Sequence, residues 1–298
     1  MDPVNPSKET KSVDASYEVT HLDLGRTLSS GQILRSRPLG DGRFEMASGG
    51  RLAEVWQEPV DEATPVWSRS VLHVESDSGD VAYWRRMLSV DDDYDRVWEA
   101  LSGLGSEVLD EAMAAGDGIR VLHMDPFEAF VTSVITQNNN VPRIRACVER
   151  ICSFPLPADG DGPAAPLAPF PDAEGLIDRL DAGGKSLGLG YRLPYLRGLC
   201  EAWIDGEFDD MVADAEGRLP FAGDELRTCA RDMSALLARR GIGPKVASCC
   251  CLFGLGHASA LPEDVWIRRF NERHDMPWVP EIAGLQQQYV FEWIRTTG

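Results

Sequence analysis

Near residue 94 the spacing of apolar residues changes, and that change limits the fold more than any other feature of the chain. From about Tyr17 to Trp84 apolar positions alternate with polar ones, the period of a half-buried strand. Beyond DDDYDRVWEAL they recur every three to four residues, the period of an amphipathic helix. Strands followed by helices, in two successive blocks, point to an α+β architecture: a small antiparallel sheet packed on a helical body. Candidate strands are HLDLGRTL, the two halves of RFEMASGGRLAEVWQ around a Gly49-Gly50 turn, SRSVLHVES and DVAYWRRML, giving about five. The division expected is a polar, disordered tail at 1–16, a sheet domain with trailing helices at 17–118, and a helical domain at 119–298.

The helical block carries clear start signals. Asp125-Pro126-Phe127-Glu128 sets an N-cap, a first-turn proline and a capping-box glutamate in order. The segment that follows, FEAFVTSVIT, is apolar nearly all round and belongs at the centre of the core. Gln137 and three asparagines, Asn138, Asn139 and Asn140, interrupt it, and Pro142 restarts a helix with Ile144, Val148 and Ile151 on one face. Residues 154–171 are rich in Pro, Ala, Gly and Asp and read as a surface loop. Further helices are expected at Leu193–Ile204, Glu225–Arg239 and Gln286–Arg295.

Composition excludes several classes. No apolar run approaches the roughly 20 residues of a bilayer-spanning helix. The first residues lack the hydrophobic core of an export signal. Seven cysteines, three of them consecutive at Cys249, Cys250 and Cys251, form neither a disulfide framework nor the paired spacing of a zinc or iron–sulfur site. Reduced thiols in a cytoplasmic protein are the expectation. The net charge of −19 argues against a nucleic-acid partner until its distribution is considered. Between Leu226 and Phe270, seven basic residues face three acidic ones, so a locally positive face sits on an acidic body.

That positive stretch contains ARRGIGPKVASCCCLFGLGHASALPED. Gly241 can end a helix in the left-handed region, Gly243 permits close backbone approach, and Pro244 fits the first turn of the next helix. The pattern is a helix-hairpin-helix turn whose exposed N–H groups suit a phosphate. Lys245 follows at the positive end of a helix dipole, where an ammonium is disfavoured and only the neutral amine is a nucleophile. Asp264 comes after a loop. A solvated surface lysine and a plain N-cap are the ordinary readings of these two residues, and Asp264 is suited to capping and chemistry together.

Cys249, four residues after Lys245, shares its helical face, with Phe253 a turn further on; core packing is the alternative for both. The asparagine triplet offers amides to base edges, against an ordinary turn. Tyr191, on a glycine-rich loop and followed by Arg192, is an exposed aromatic suited to wedging between bases, against packing on the next helix. Gln287 and Phe291 share one face of the last helix; by spacing alone they are ordinary amphipathic-helix positions.

Taken together, DPFEAFVTSVITQNNNVPRIRACVERIC, LGLGYRLPYLRGLCEAW, GIGPKVASCC and ALPEDVW resemble 8-oxoguanine DNA glycosylase/AP lyase, of the helix-hairpin-helix glycosylase superfamily. LDLGRTLSSGQILR resembles that family's opening strand and turn, so the resemblance runs from roughly residue 17 to the C-terminus. It implies base-excision repair: 8-oxoguanine opposite cytosine is flipped out of duplex DNA, its glycosidic bond is cleaved with Lys245 as nucleophile, and the abasic site is nicked. Asp264 would be the catalytic partner. Gly31 would offer its carbonyl to the N7 hydrogen of the lesion, Cys249 and Phe291 would sandwich the base beside Phe253, and Gln287 would bond its Watson–Crick edge. Asn138 would fill the gap opposite the orphaned cytosine, Arg143 and Arg192 would read that base, and Tyr191 would be the wedge. Gly241, Gly243 and Trp266 would lie against the DNA.

The resemblance implies no metal or redox cofactor; the hairpin carbonyls are a candidate seat for a monovalent cation. A monomer acting in the cytoplasm at the nucleoid, or in a nucleus if the source is eukaryotic, is the expectation, with no membrane partner. The sequence departs from the family at Leu34, Ser36, Arg240, Ser248 and Trp266, which bears on pocket contacts and DNA affinity. Two rival readings are a monofunctional alkylbase glycosylase of the same superfamily and a non-catalytic lesion-binding protein.

Overall fold

The computed structural model describes residues 12–61, 63–154, 167–221 and 223–297. Five antiparallel strands form one sheet: β1 (Ser12–Thr20), β2 (Ser36–Gly40), β3 (Arg43–Ser48), β4 (Arg51–Pro59) and β5 (Arg69–Asp77), in the order β1-β5-β4-β3-β2. The β3–β4 turn is Gly49-Gly50 with both φ positive (+54° and +76°), the backbone that a two-residue hairpin needs. Ala53 and Val55 of β4, Met46 of β3 and Leu72 and Val74 of β5 share the inner face and are buried.

Three expectations are corrected here. β1 begins at Ser12, inside the segment expected to be a disordered tail, because its backbone pairs with β5 from Ser12 opposite Asp77 to Thr20 opposite Arg69. Residues 1–11 lie outside the described residues. HLDLGRTL is not a strand; α1 (Leu24–Ser29) forms there, since the Asp23 carboxylate accepts from the Arg26 N–H and caps it. DVAYWRRML is likewise α2 (Val81–Met87), burying Trp84 and Met87. Apolar residues spaced by three fit a short helix as well as a strand, and packing decides between them.

The helical body comprises α3 (Tyr94–Ser102), α4 (Glu107–Gly116), α5 (Pro126–Ile135), α6 (Val141–Cys152), α7 (Ala173–Gly183), α8 (Leu193–Ile204) and α9 (Asp209–Ala215). It continues through α10 (Glu225–Leu237), α11 (Pro244–Cys249), α12 (Val265–Asn271) and α13 (Ala283–Thr297). As its composition requires, α5 is the central helix: every residue from Phe127 to Ile135 is buried. Phe130 meets Trp203 and Phe208 edge-on at 5.6 and 5.4 Å, tying α5 to α8 and the turn beyond it.

Asp125 caps α5 as expected, its Oδ1 accepting from the Glu128 N–H at 3.0 Å. Glu128, however, does not close a capping box. It turns into the core, where Oε2 accepts from the Gly49 N–H of the β3–β4 turn at 3.0 Å and so joins sheet to helix. Burial pushes its carboxyl up to about 7, against the pull of Arg35 and that backbone bond.

The last helix returns to the first half of the chain. The Gly116 backbone of α4 lies against Tyr289 of α13 so closely that a Cβ there would stand 2.5 Å from the ring. The division expected after residue 118 therefore separates helices in direct contact. Their meeting brings α13 to the edge of the cleft described next.

Candidate functional site

The hairpin between α10 and α11 is built by its glycines. α10 ends at Leu237 rather than Arg239, and the chain turns at Gly241 with φ +90°. The Tyr195 ring of α8 occupies the space a side chain would need there, 2.4 Å from an added Cβ. Ile242 is buried and anchors the turn. Gly243 is extended (φ −94°, ψ 176°), exposed, and followed by Pro244 in the first turn of α11. The Gly241 carbonyl accepts from the Gln137 Nε2 at 2.7 Å, which ties the hairpin to the end of α5.

Lys245 is half-buried on the first turn of α11. Its Nζ donates to Thr136 Oγ1 at 2.9 Å and touches the Cys249 thiol, and among the described residues it makes no ion pair. Burial pushes the Cys249 thiol up, more strongly than the Lys245 amine pulls it down. After Cys249 the helix widens into a π-turn, Cys250–Gly254, with the Leu255 N–H reaching back to the Cys250 carbonyl at 3.1 Å. Gly254 passes close under α5, 3.1 Å from the Ala129 methyl for a Cβ placed on it.

Asp264 is the N-cap of α12: its Oδ1 accepts from the N–H groups of Trp266 and Ile267, both at 2.9 Å. The ordinary reading of this residue is thus true, and its other carboxylate oxygen stands outside the cap. Asp264 and Lys245 line the same cleft, about 810 Å³ in volume. Gly31, Cys249, Phe253, Gln287, Phe291, Asn138, Gly243 and Trp266 line it too, so five separate stretches of sequence converge on one cavity. The Gly31 turn (φ +97°) is fixed by Gln32, whose amide donates to the Arg120 carbonyl and accepts from the Leu122 N–H. Gln287 is buried, and its Oε1 accepts from the Gln288 Nε2 at 2.5 Å, leaving its own –NH₂ for a partner. Trp266 is 55% exposed at the mouth, beneath the Arg269 guanidinium.

Arg143, Tyr191, Arg192 and Gly241 do not line the cavity. Arg143 is exposed on the first turn of α6. Tyr191 is 49% exposed, and its hydroxyl accepts from Asn138 Nδ2 at 3.1 Å and donates to the Gln137 carbonyl. Arg192 differs from expectation. It is 4% exposed, and its guanidinium holds the carbonyls of Gln137 and Asn138 under the Tyr191 ring. Carbonyls left unpaired just past the end of α5 explain why a cation is drawn inward there. In the asparagine triplet, Asn140 caps α6 and Asn139 bonds the Ile135 carbonyl, so both serve the turn. Asn138 (φ +43°) alone is exposed beside Tyr191 without a capping task.

Thr136 was not singled out by sequence, and Gln137 was read only as interrupting the helix; their roles rest on contacts with Lys245 and Gly241, far along the chain. A buried ion network lies behind α11. His257 Nε2 sits 2.8 Å from Asp232 Oδ2, and Glu225 accepts from the Ser259 N–H and hydroxyl. Glu225, Cys229 and His257 bring three potential metal donors within 4.8 Å. The Arg218 Nη1, 3.1 Å from His257 Nδ1 and 3.6 Å from Glu225 Oε2, already fills the cation's place, so the cluster reads as structural.

No family model matches the chain. The N-glycosylase/DNA lyase of Saccharomyces cerevisiae is 29% identical over 197 residues, 64% of this chain and 49% of that protein. The Arabidopsis thaliana N-glycosylase/DNA lyase OGG1 is 26% identical over 273 residues, 89% of this chain and 68% of that one. Among solved structures, the Clostridium acetobutylicum 8-oxoguanine glycosylase/lyase in complex with double-stranded DNA matches with a TM-score of 0.72 at 20% identity, over 96% of this chain and 98% of that one. The 3-methyladenine DNA glycosylase of Archaeoglobus fulgidus matches at 0.67 and 14% identity, over 94% and 98%, so the fold by itself is common to both kinds.

Sheet, hairpin and cleft together give the α+β fold that these solved DNA glycosylases share. In sequence the chain is similar to N-glycosylase/DNA lyases, in one case over 89% of its length. It spans about half the length of the yeast relative.

Proposed function

We propose that this protein removes 8-oxoguanine from duplex DNA and nicks the abasic site that results. The observation that carries the reading is an amine without a carboxylate partner among the described residues, on the first turn after the hairpin, inside a cleft that also holds Asp264. The neutral Lys245 amine would bond to C1′ as the C1′–N9 bond breaks, with the electron pair leaving on the purine, which takes up a proton. The new dialkylammonium gives up one proton, O4′ takes one up as C1′–O4′ breaks, and a protonated imine and a sugar hydroxyl result. The imine acidifies C2′, so loss of that proton expels the 3′ phosphate and cuts the strand. Asp264, already oriented by its cap, would stabilise positive charge on the sugar ring.

The base would lie between Cys249 and Phe291, with the Gln287 –NH₂ directed to a base carbonyl and the Gly31 carbonyl to the N7 hydrogen that guanine lacks. An acceptor left unpaired costs about 1–3 kcal/mol, enough to discriminate. Duplex DNA with cytosine opposite the lesion is the partner proposed, with Asn138, Tyr191 and Arg143 on the orphaned-base side and the protein acting as a monomer. Arg192 serves there by holding the Asn138 turn.

Borohydride trapping on a duplex carrying 8-oxoguanine tests this. A covalent adduct is expected from the native chain and none from Lys245→Gln. Only four lysines occur in the chain, so peptide mapping of the adduct is unambiguous. Excision of alkylated purines without an adduct would identify the monofunctional rival, and binding without excision the non-catalytic one.

A further inference from the structure

The amine of Lys245 is held from the opposite wall as well as from its own helix. Its partner there, Thr136, ends α5, and the Thr136 hydroxyl donates its proton to the Ser133 carbonyl at 2.7 Å. A hydroxyl has one proton, so toward the lysine Thr136 acts only as an acceptor. The 2.9 Å contact therefore engages an N–H of Lys245. A neutral amine has two N–H bonds and one lone pair; with one N–H directed at Thr136, the lone pair must point elsewhere. Cys249, one turn along α11, lies beside the same amine and lines the same cleft. The direction left open is the cleft, which Thr136 itself lines.

We propose that Thr136 is a positioning residue for base removal: its hydroxyl, locked as an acceptor, aims the nucleophilic lone pair of Lys245 into the cleft. The inference rests on the reading of Lys245 as the nucleophile. Thr136 touches no reacting atom. Its donor role is fixed within α5, so the device is built before any substrate arrives. The β-branched side chain also has few alternative rotamers in a helix, which keeps the oxygen in place.

The test compares Thr136→Val, which keeps the shape and removes the oxygen, with Thr136→Ser, which keeps the oxygen and removes the methyl. Single-turnover borohydride trapping on an 8-oxoguanine duplex is measured beside DNA affinity and thermal melting. The Val variant should trap about 10–100-fold more slowly, as misdirected reacting groups do, with affinity and melting near those of the native chain. The Ser variant should stay within about threefold of native. Native-rate trapping by Thr136→Val overturns the proposal while leaving Lys245 in its role. So does a Ser variant as slow as Val, since packing of the methyl would then be the cause. Absence of an adduct from the native chain overturns the lysine reading and this one with it.

Discussion

Two glycines of the hairpin make a paired prediction, because the structure gives them different tasks. Gly241 has φ +90°, and a Cβ on it would lie 2.4 Å from the Tyr195 ring, a contact that real atoms do not make. Alanine there meets left-handed strain of about 1–2 kcal/mol and overpacking of about 1–3 kcal/mol, together roughly 2–5 kcal/mol. For a chain of this size that lowers the melting temperature by roughly 5–15 °C. Gly243 is extended and a Cβ on it meets nothing within 4 Å, so Gly243→Ala should melt within about 2 °C of the native protein. Its Cβ would nevertheless stand where a phosphate approaches the hairpin, so DNA affinity should fall about tenfold or more, the equivalent of about 1.4 kcal/mol. Calorimetry and a salt-controlled binding titration separate the two effects. Native melting of Gly241→Ala would refute the steric argument, and native affinity of a stable Gly243→Ala would refute the phosphate cradle.

Asp264→Asn keeps a capping side chain but removes the charge, so melting and DNA binding should hold while excision falls about 10²–10³-fold; unchanged excision would reduce Asp264 to a cap. Gly31→Ala should slow excision through strain rather than crowding, since its φ is +97° and the space around it is open. Gly31→Asn, better tolerated in the left-handed region, should then be faster than Ala; the reverse order would make crowding the cause. Burial lowers the His257 pKa, but its bonds to Asp232 and Glu225 outweigh this and leave it above the ordinary 6.5. Its stabilising contribution is therefore whole below 6.5 and lost as pH rises through the folded value. Cys229, drawn down by its bond with Cys251, titrates with the opposite sign, so urea melts across this range belong in a Cys229→Ala background. Stability should decline with pH there, and an equal decline in His257→Gln would exclude the histidine.

What the sequence made legible was local. The Gly49-Gly50 turn, the Asp125 cap, the helix restarting around Pro142 and the hairpin at Gly241 each follow from a few neighbouring residues, and each forms. Where two local rules competed, the reading failed: α1 and α2 are short enough that apolar spacing fits a strand equally well, and a cap or a buried tryptophan decided. Contacts across the chain were beyond reach. Nothing near Glu128 announces the Gly49 N–H that draws it away from its own helix, and nothing near Arg192 announces the carbonyls of residues 137 and 138. Ten of the fourteen predicted site residues line the cleft because their motifs are tied to the backbone geometry that forms it.

The three successive cysteines gain a meaning from the π-turn. A regular helix advances about 100° per residue, which over the eight steps from Lys245 to Phe253 would swing the ring roughly 80° out of line. The wider loop of backbone slows that rotation, so amine, thiol and ring stay stacked along one wall. A swollen turn needs slim side chains where it presses on its neighbours, and Cys250 and Cys251 are fully enclosed. The two thiols are slim enough to leave the widened coil room inside the core.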